Sequence, residues 1–158
     1  MRPTLYTVPL DGPGQLSIMA KPDADWLETQ LAALREDGVD VLVSALTPAE
    51  TAEAGLGDEA LEASAAGLRF VSLPITDMGL PDRDSVMPIL RELVADLAAG
   101  RHVVTHCWTG VGRSSLLAAS LMVLTGITPD EAVRRISQVR GRAVPETAEQ
   151  RAWIFDVR

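Results

Sequence analysis

The stretch from His102 to Leu124 constrains the fold more than any other part of the chain. It opens with "HVVTHC", a short apolar run rich in β-branched residues. It continues through "WTGVG" into "RSSLLAASLMVL", which is apolar nearly all round before Gly126 stops it. The first part has the make-up of a buried strand and the last that of a helix without a solvent face. A strand and a helix that are both buried on every side need further layers around them. The flanking sequence supplies such layers. Asp23 to Asp37 carries Leu27, Leu31 and Leu34 at helical spacing with Gly38 to end it, and Ser85 to Ala99 carries Leu90, Leu93, Val94 and Leu97 before Gly100. "VDVLVSAL" and "LRFVSLPI" read as strands. The alternation of helix and strand predicts an α/β domain with a central, mostly parallel sheet flanked by helices.

Capping signals add three more helices. "TPAE" from Thr47 has an N-cap, a proline at the first helical position and a glutamate three residues after the cap, which predicts a short helix. "TPDE" from Thr128 repeats the signal and opens a helix with Ala132, Val133 and Ile136 inward, while Pro145 opens a last helix carrying Trp153, Ile154 and Val157. With 158 residues, 47% of them hydrophobic, and neither repeats nor a linker, one domain over residues 1–158 is expected. A net charge of −8 argues against a nucleic-acid or anionic-membrane binder. The longest apolar stretch, "LLAASLMVLTGI", falls short of the roughly 20 residues that span a bilayer. One cysteine excludes an internal disulfide and "MRPTLYTVPLDGPG" has no apolar signal core, so a reducing cytoplasm is the expected location.

That cysteine, Cys107, falls where the central strand gives way to the buried helix. A lone cysteine is commonly a small buried hydrophobe, but the carboxyl end of a parallel strand is where open α/β sheets bind ligands. Gly110 and Gly112 are expected to take backbone dihedrals that a Cβ would penalise, letting the loop Trp108, Thr109, Gly110, Val111, Gly112 curl until its N–H groups converge. Such a nest, backed by the positive end of a helix, binds an anion. The guanidinium of Arg113, six residues after Cys107, is suited to grip two oxygens of a phosphate. The same field stabilises a thiolate. Ser114 and Ser115 offer hydroxyl donors, and His106 offers ring nitrogens to orient the loop. Displacing an alkoxide or phenolate from phosphorus also needs a proton donor, and the loop after Ile75 offers three candidates, Asp77, Asp82 and Asp84.

"HCWTGVGRS" fits the His-Cys-x-x-Gly-x-x-Arg-Ser/Thr signature, and in this the chain resembles the cysteine-dependent protein tyrosine and dual-specificity phosphatases. From Val39 to Phe155 it is most similar to the kinase-associated phosphatase (cyclin-dependent kinase inhibitor 3) type, with "PITDMGLPD", "GITPDEAVRRISQVRG" and "VPETAEQ" in that family's order. The resemblance implies metal-independent phosphomonoester hydrolysis through a cysteinyl-phosphate, with no cofactor and a phosphorylated protein or peptide as substrate. It also implies Asp77 as general acid and base, and Gln150 as a supporting residue that positions water. Glu146 stands where related enzymes carry another glutamine. No lysine occurs at Trp108, Thr109 or Val111, which favours a phosphoprotein over an inositol phospholipid.

Other readings of the same loop remain open. One is a phosphate-binding module with little turnover. Another is thiol-based arsenate reduction or sulfur transfer, for which the chain has no resolving cysteine of its own. A Walker-type nucleotide site is excluded because "GVGRSS" lacks the lysine after the second glycine. No metal site is expected, since His102 and His106 share a strand face without further ligands at suitable spacing.

Overall fold

The computed structural model describes residues 2–158. Its strands are β1 (Tyr6–Val8), β2 (Gln15–Met19), β3 (Val41–Ser44), β4 (Arg69–Ser72) and β5 (His102–His106). Its α-helices are α1 (Leu27–Glu36), α2 (Pro48–Glu53), α3 (Glu59–Ala66), α4 (Arg83–Ala98), α5 (Arg113–Leu124), α6 (Pro129–Arg140) and α7 (Ala148–Asp156). The strands form one sheet in the order β1-β2-β5-β3-β4, parallel throughout except for the antiparallel β1–β2 pair. The expected α/β architecture is therefore the observed one.

Strand β5 lies between β2 and β3, with Val103 opposite both Leu16 and Val41, and every one of its residues is buried. Strand alternation divides its side chains between two cores. Val103 and Cys107 join the cluster built from α4, α5, α6 and α7, whereas Val104 joins the cluster of α1 and α3. Helix α5 is buried from Arg113 to Val123 and packs on β2, β5, α4, α6 and α7, so it needs no polar face. Each of Leu116, Leu117, Leu121 and Met122 is almost fully out of water, which stabilises the fold by about 1.5–3 kcal/mol per side chain.

Several elements differ from the sequence expectation. Strands β1 and β2 come from "TLYTVPLDGPGQLSIM", where prolines and glycines break the apolar run. They pair across the sheet edge, and a chain of side chains runs from Thr7 Oγ1 to Ser17 Oγ (2.8 Å) and on to His102 Nε2 (2.7 Å). Helix α3 is rich in alanine, and its one long aliphatic side chain, Leu61, is exposed, so no amphipathic stripe announced it. The last helix begins at Ala148, not Pro145, because Thr147 and Gln150 form a reciprocal capping box. At α6 the box is half made: Thr128 accepts from the Glu131 amide, but the Glu131 carboxylate turns to Arg134 and Arg135, which draw its pKa down to about 2. Among the described residues, no helix is long and apolar enough to cross a membrane.

Candidate active site

The junction of β5 and α5 places Cys107 at the carboxyl end of the central strand, 2% exposed, on the floor of a cavity of about 320 Å³. Thr105, two residues earlier on the same face, donates its hydroxyl to the Ser114 carbonyl at 3.0 Å and ties the strand to the first turn of the helix. Ser114 Oγ lies 3.2 Å from Cys107 Sγ. No side chain caps α5, whose N-cap is Gly112. The amides of its first turn have no intrahelical acceptor.

The loop between them is shaped by its glycines in two different ways. Gly110 has φ 74°, and a Cβ there would stand 2.7 Å from the Met19 carbonyl and 2.8 Å from the Ala20 nitrogen. Gly112 departs from the expectation of unusual dihedrals: its φ of −84° and ψ of −72° are open to any residue. A Cβ at Gly112 would instead press on the Glu146 carboxylate, which lines the cavity from the C-terminal side.

Arg113 is 3% exposed, and its hydrogen bonds can be counted donor by donor. Nη1 donates to Glu50 Oε1 (2.6 Å) and to the Ile75 carbonyl (2.8 Å), and Nη2 donates to Glu50 Oε2 (3.0 Å). Five N–H groups in a rigid fork, less these three, leave the Nε–H and one Nη2–H, which form the side edge of the guanidinium. Burial is the strongest single influence on this group and opposes its charge. The pairing with Glu50 and the fields of Cys107 and Asp77 together outweigh burial and hold the pKa above its ordinary value. Glu50 is held below the usual carboxylate range, chiefly by the Arg113 hydrogen bond. The same Glu50 Oε1 accepts from the Thr47 amide at 3.0 Å, closing the α2 capping box. The sequence announced Glu50 as a cap and gave no sign of its second partner, 63 residues away.

His106 points to the other side of the sheet from Cys107. Its Nε2 lies 2.6 Å from Glu59 Oε2 on α3 and its Nδ1 3.3 Å from the Cys107 carbonyl. The two side chains are 0% and 2% exposed. Glu59 Oε1 has no hydrogen-bond partner among the described residues. Glu59 was missed with the helix that carries it.

The loop after β4 forms the opposite wall. Beyond Ser72 the chain still pairs with β3 through Leu73 N to Ser44 O and Ile75 N to Ala45 O, then turns where Gly79 N donates to Thr76 O at 2.7 Å. Met78, third residue of that turn, has φ 63°, a conformation that glycine or asparagine usually supplies. Asp77 projects into the cavity, 71% exposed, with Oδ1 3.7 Å from Arg113 Nη2. Asp82 lies outside the cavity as the N-cap of α4, accepting from Ser85 N (3.1 Å) and Ser85 Oγ (2.6 Å), bonds that lower its pKa. Asp84 is in the first turn of the same helix. Gln150 is fully buried and does not line the cavity. Its Oε1 accepts from the amides of Glu146 and Thr147, and its Nε2 donates to the Gly79 carbonyl at 3.2 Å, tying α7 to the Asp77 loop. Trp108 and Thr109 form part of the cavity rim, and Val111 is buried in the larger core.

The profile of a family described as "Polymorphic toxin system, DSP-PTPase phosphatase" matches residues 19–127. Cyclin-dependent kinase inhibitor 3 of Rattus norvegicus is 36% identical over 87 residues, which are 54% of this chain and 41% of that protein. Its Homo sapiens counterpart is 34% identical over 87 residues, with the same shares. The chain thus spans less than half the length of the curated relatives it matches. A crystal structure of kinase-associated phosphatase with its catalytic-site cysteine replaced by serine superposes with a TM-score of 0.89 at 22% identity, covering 99% of this chain and 94% of that one. The structure of Tk-PTP in its active form has a TM-score of 0.74 at 25% identity, covering 96% and 95% of the two chains.

Proposed function

The chain belongs to the DSP-PTPase phosphatase family of polymorphic toxin systems, and from that premise we propose that it is a metal-independent protein tyrosine or dual-specificity phosphatase acting through a cysteinyl-phosphate. The observation that carries the reading is the free Nε/Nη2 edge of Arg113, in one cavity with Cys107 and Asp77. Glu50 and the Ile75 carbonyl occupy the other end of the guanidinium and fix its plane. A bound phosphate then meets two parallel donors already oriented.

In the first step the Cys107 thiolate attacks phosphorus, the S–P bond forms as the P–O bond to the leaving group breaks, and Asp77 gives its proton to the departing oxygen. Loop amides and Arg113 hold the equatorial oxygens as charge builds on them. In the second step water attacks phosphorus, passes a proton to the Asp77 carboxylate, and the S–P bond breaks. Ser114 Oγ, at 3.2 Å, donates to the departing thiolate. Proton transfer by a positioned acid is worth about 10²–10⁴ in rate. The substrate is a phosphorylated protein or peptide, and the compartment is a reducing one that keeps Cys107 a thiol.

The test is hydrolysis of a simple aryl phosphate, with chelator present, between about pH 5 and 8. Wild type turns over, Cys107→Ser does not, and Asp77→Ala is slowed with loss of the basic limb of its pH profile. Full activity in Cys107→Ser would overturn the thiol mechanism. Binding of phosphate or vanadate without turnover would replace the reading by that of a phosphate-binding module.

A further inference from the structure

A second cavity, of about 340 Å³, adjoins the first on the side of β1 and the end of α6. The two share Thr109, a residue of the Cys107 loop. Their walls differ in charge. The first is lined by Glu50, Glu53, Asp77 and Glu146, with Arg113 its only cation. The second carries Arg2, Lys21 and Arg140 against one carboxylate, Asp23.

Two of those three cations have no carboxylate of their own. Arg2 is paired with Glu36 (2.8 Å) and Asp37 (3.0 Å). Lys21 is in no ion pair among the described residues, and its Nζ lies over the Trp108 ring, 4.8 Å from the centroid. Arg140 lies over the Tyr6 ring at 3.9 Å, is likewise in no ion pair, and has its Nε out of solvent without a hydrogen-bond partner. Stacking on an aromatic face orients a cation and leaves its charge available to an anion at the edge.

We infer that this cavity is an anion subsite that reads a second acidic group on the substrate, so that the favoured substrate is a phosphopeptide with an acidic side chain close to the phosphoresidue. The inference rests on the phosphatase reading above and gives it a substrate class. Reach sets the spacing. Thr109 is two residues from Cys107, so their Cα atoms are no more than about 7 Å apart. An extended peptide advances about 3.3 Å per residue, so an aspartate or glutamate two or three residues from the phosphoresidue reaches past Thr109, the residue the two cavities share, into the second one. The carboxylates of the first cavity repel an acidic side chain from the opposite direction, so only one peptide orientation is favourable. The chain's net charge of −8 does not cancel this local attraction, because charges beyond about 8 Å are screened at physiological salt.

The test compares two phosphopeptides that differ only in an aspartate or asparagine at that spacing. Exposed charge pairs are worth up to about fivefold each, so wild type should prefer the acidic peptide in kcat/KM by roughly tenfold. The preference should fall to about one in the Lys21→Gln, Arg140→Gln double variant and survive in Lys21→Arg. It should grow in Asp23→Asn, which removes the opposing charge and keeps the cap on the Asp25 amide. Turnover of a simple aryl phosphate, which has no second anion, should stay near wild type in all of these and reports that they fold. Equal use of both peptides by wild type, or a preference that persists in the double variant, would overturn the subsite. Hydrolysis of phosphoinositide vesicles in preference to the acidic peptide would overturn the peptide assignment. If wild type hydrolyses nothing, the phosphatase reading fails on its own. Anisotropy titration of the same peptides against Cys107→Ser then reads the subsite: tighter binding of the acidic peptide upholds it, and equal binding refutes it.

Discussion

Replacing Gly110 and Gly112 in turn by alanine separates two requirements that look alike in the sequence. At Gly110 the backbone is left-handed, which costs an L-residue about 1–2 kcal/mol. The new Cβ also stands 2.7 Å from the carbonyl of Met19, a backbone atom of β2 that cannot move alone. Overpacking of that kind costs about 1–3 kcal/mol, so Gly110→Ala should destabilise by roughly 2–5 kcal/mol. At Gly112 the dihedrals suit alanine, and the only close neighbour is the end of the exposed Glu146 side chain, which can swing aside. Removing glycine freedom from the unfolded chain contributes about 0.4–1 kcal/mol, and the N-cap preference for glycine over alanine opposes it by a similar amount, so Gly112→Ala should be close to neutral. Urea denaturation of the two variants at neutral pH is the assay. A gap of at least about 2 kcal/mol is expected, or at least roughly 4–8 °C in Tm for a domain of this size. Equal stabilities, or the reverse order, would refute the argument that φ and the Met19 backbone, not loop membership, set the glycine requirement.

Gln150→Glu keeps the acceptor for the Glu146 and Thr147 amides but sets an oxygen against the Gly79 carbonyl. Loosening the Asp77 loop in this way should slow hydrolysis of a phenyl ester about tenfold and leave a dinitrophenyl ester within about twofold, since only the poorer leaving group needs the acid. His102 is buried beside Ser17, and burial holds its pKa below the ordinary 6.5 despite Asp40 and Asp37. The folded state therefore binds fewer protons than the unfolded one, and stability is full above about pH 6.5 and falls as pH drops below it. His102→Asn should flatten that part of a stability profile measured by thermal melting, and an unchanged slope would remove His102 as its cause.

What could be read from the sequence and what could not divides along range. The Cys107 loop, α5 and the caps at Thr47 and Thr128 are written in adjacent residues, where turn chemistry and apolar period act directly. From its place six residues after Cys107, Arg113 was legible as a neighbour of the thiol in one cavity. The contacts that hold the site in place were not. Glu59 meets His106 across 47 positions, Glu50 meets Arg113 across 63, and Gln150 meets Gly79 across 71. No local pattern encodes such pairs. Each belongs to an element whose visible signal was something else: an alanine-rich run, a capping box, a helix start. Strands β1 and β2 escaped for a related reason. A three-residue strand beside "PLDGPG" has too little alternation to stand apart from a loop, and the sheet edge it joins is what makes it a strand.

The double service of Glu50 makes Thr47 epistatic to Arg113, the arginine of the Cys107 cavity. Thr47 starts a six-residue helix that contributes no buried side chain, and by local reading it does no more than cap that helix. Yet its amide and hydroxyl both hold the Glu50 oxygen that meets Arg113. A substitution at Thr47 is thus felt at the guanidinium through one shared atom, and changes at positions 47, 50 and 113 should be tolerated together or not at all.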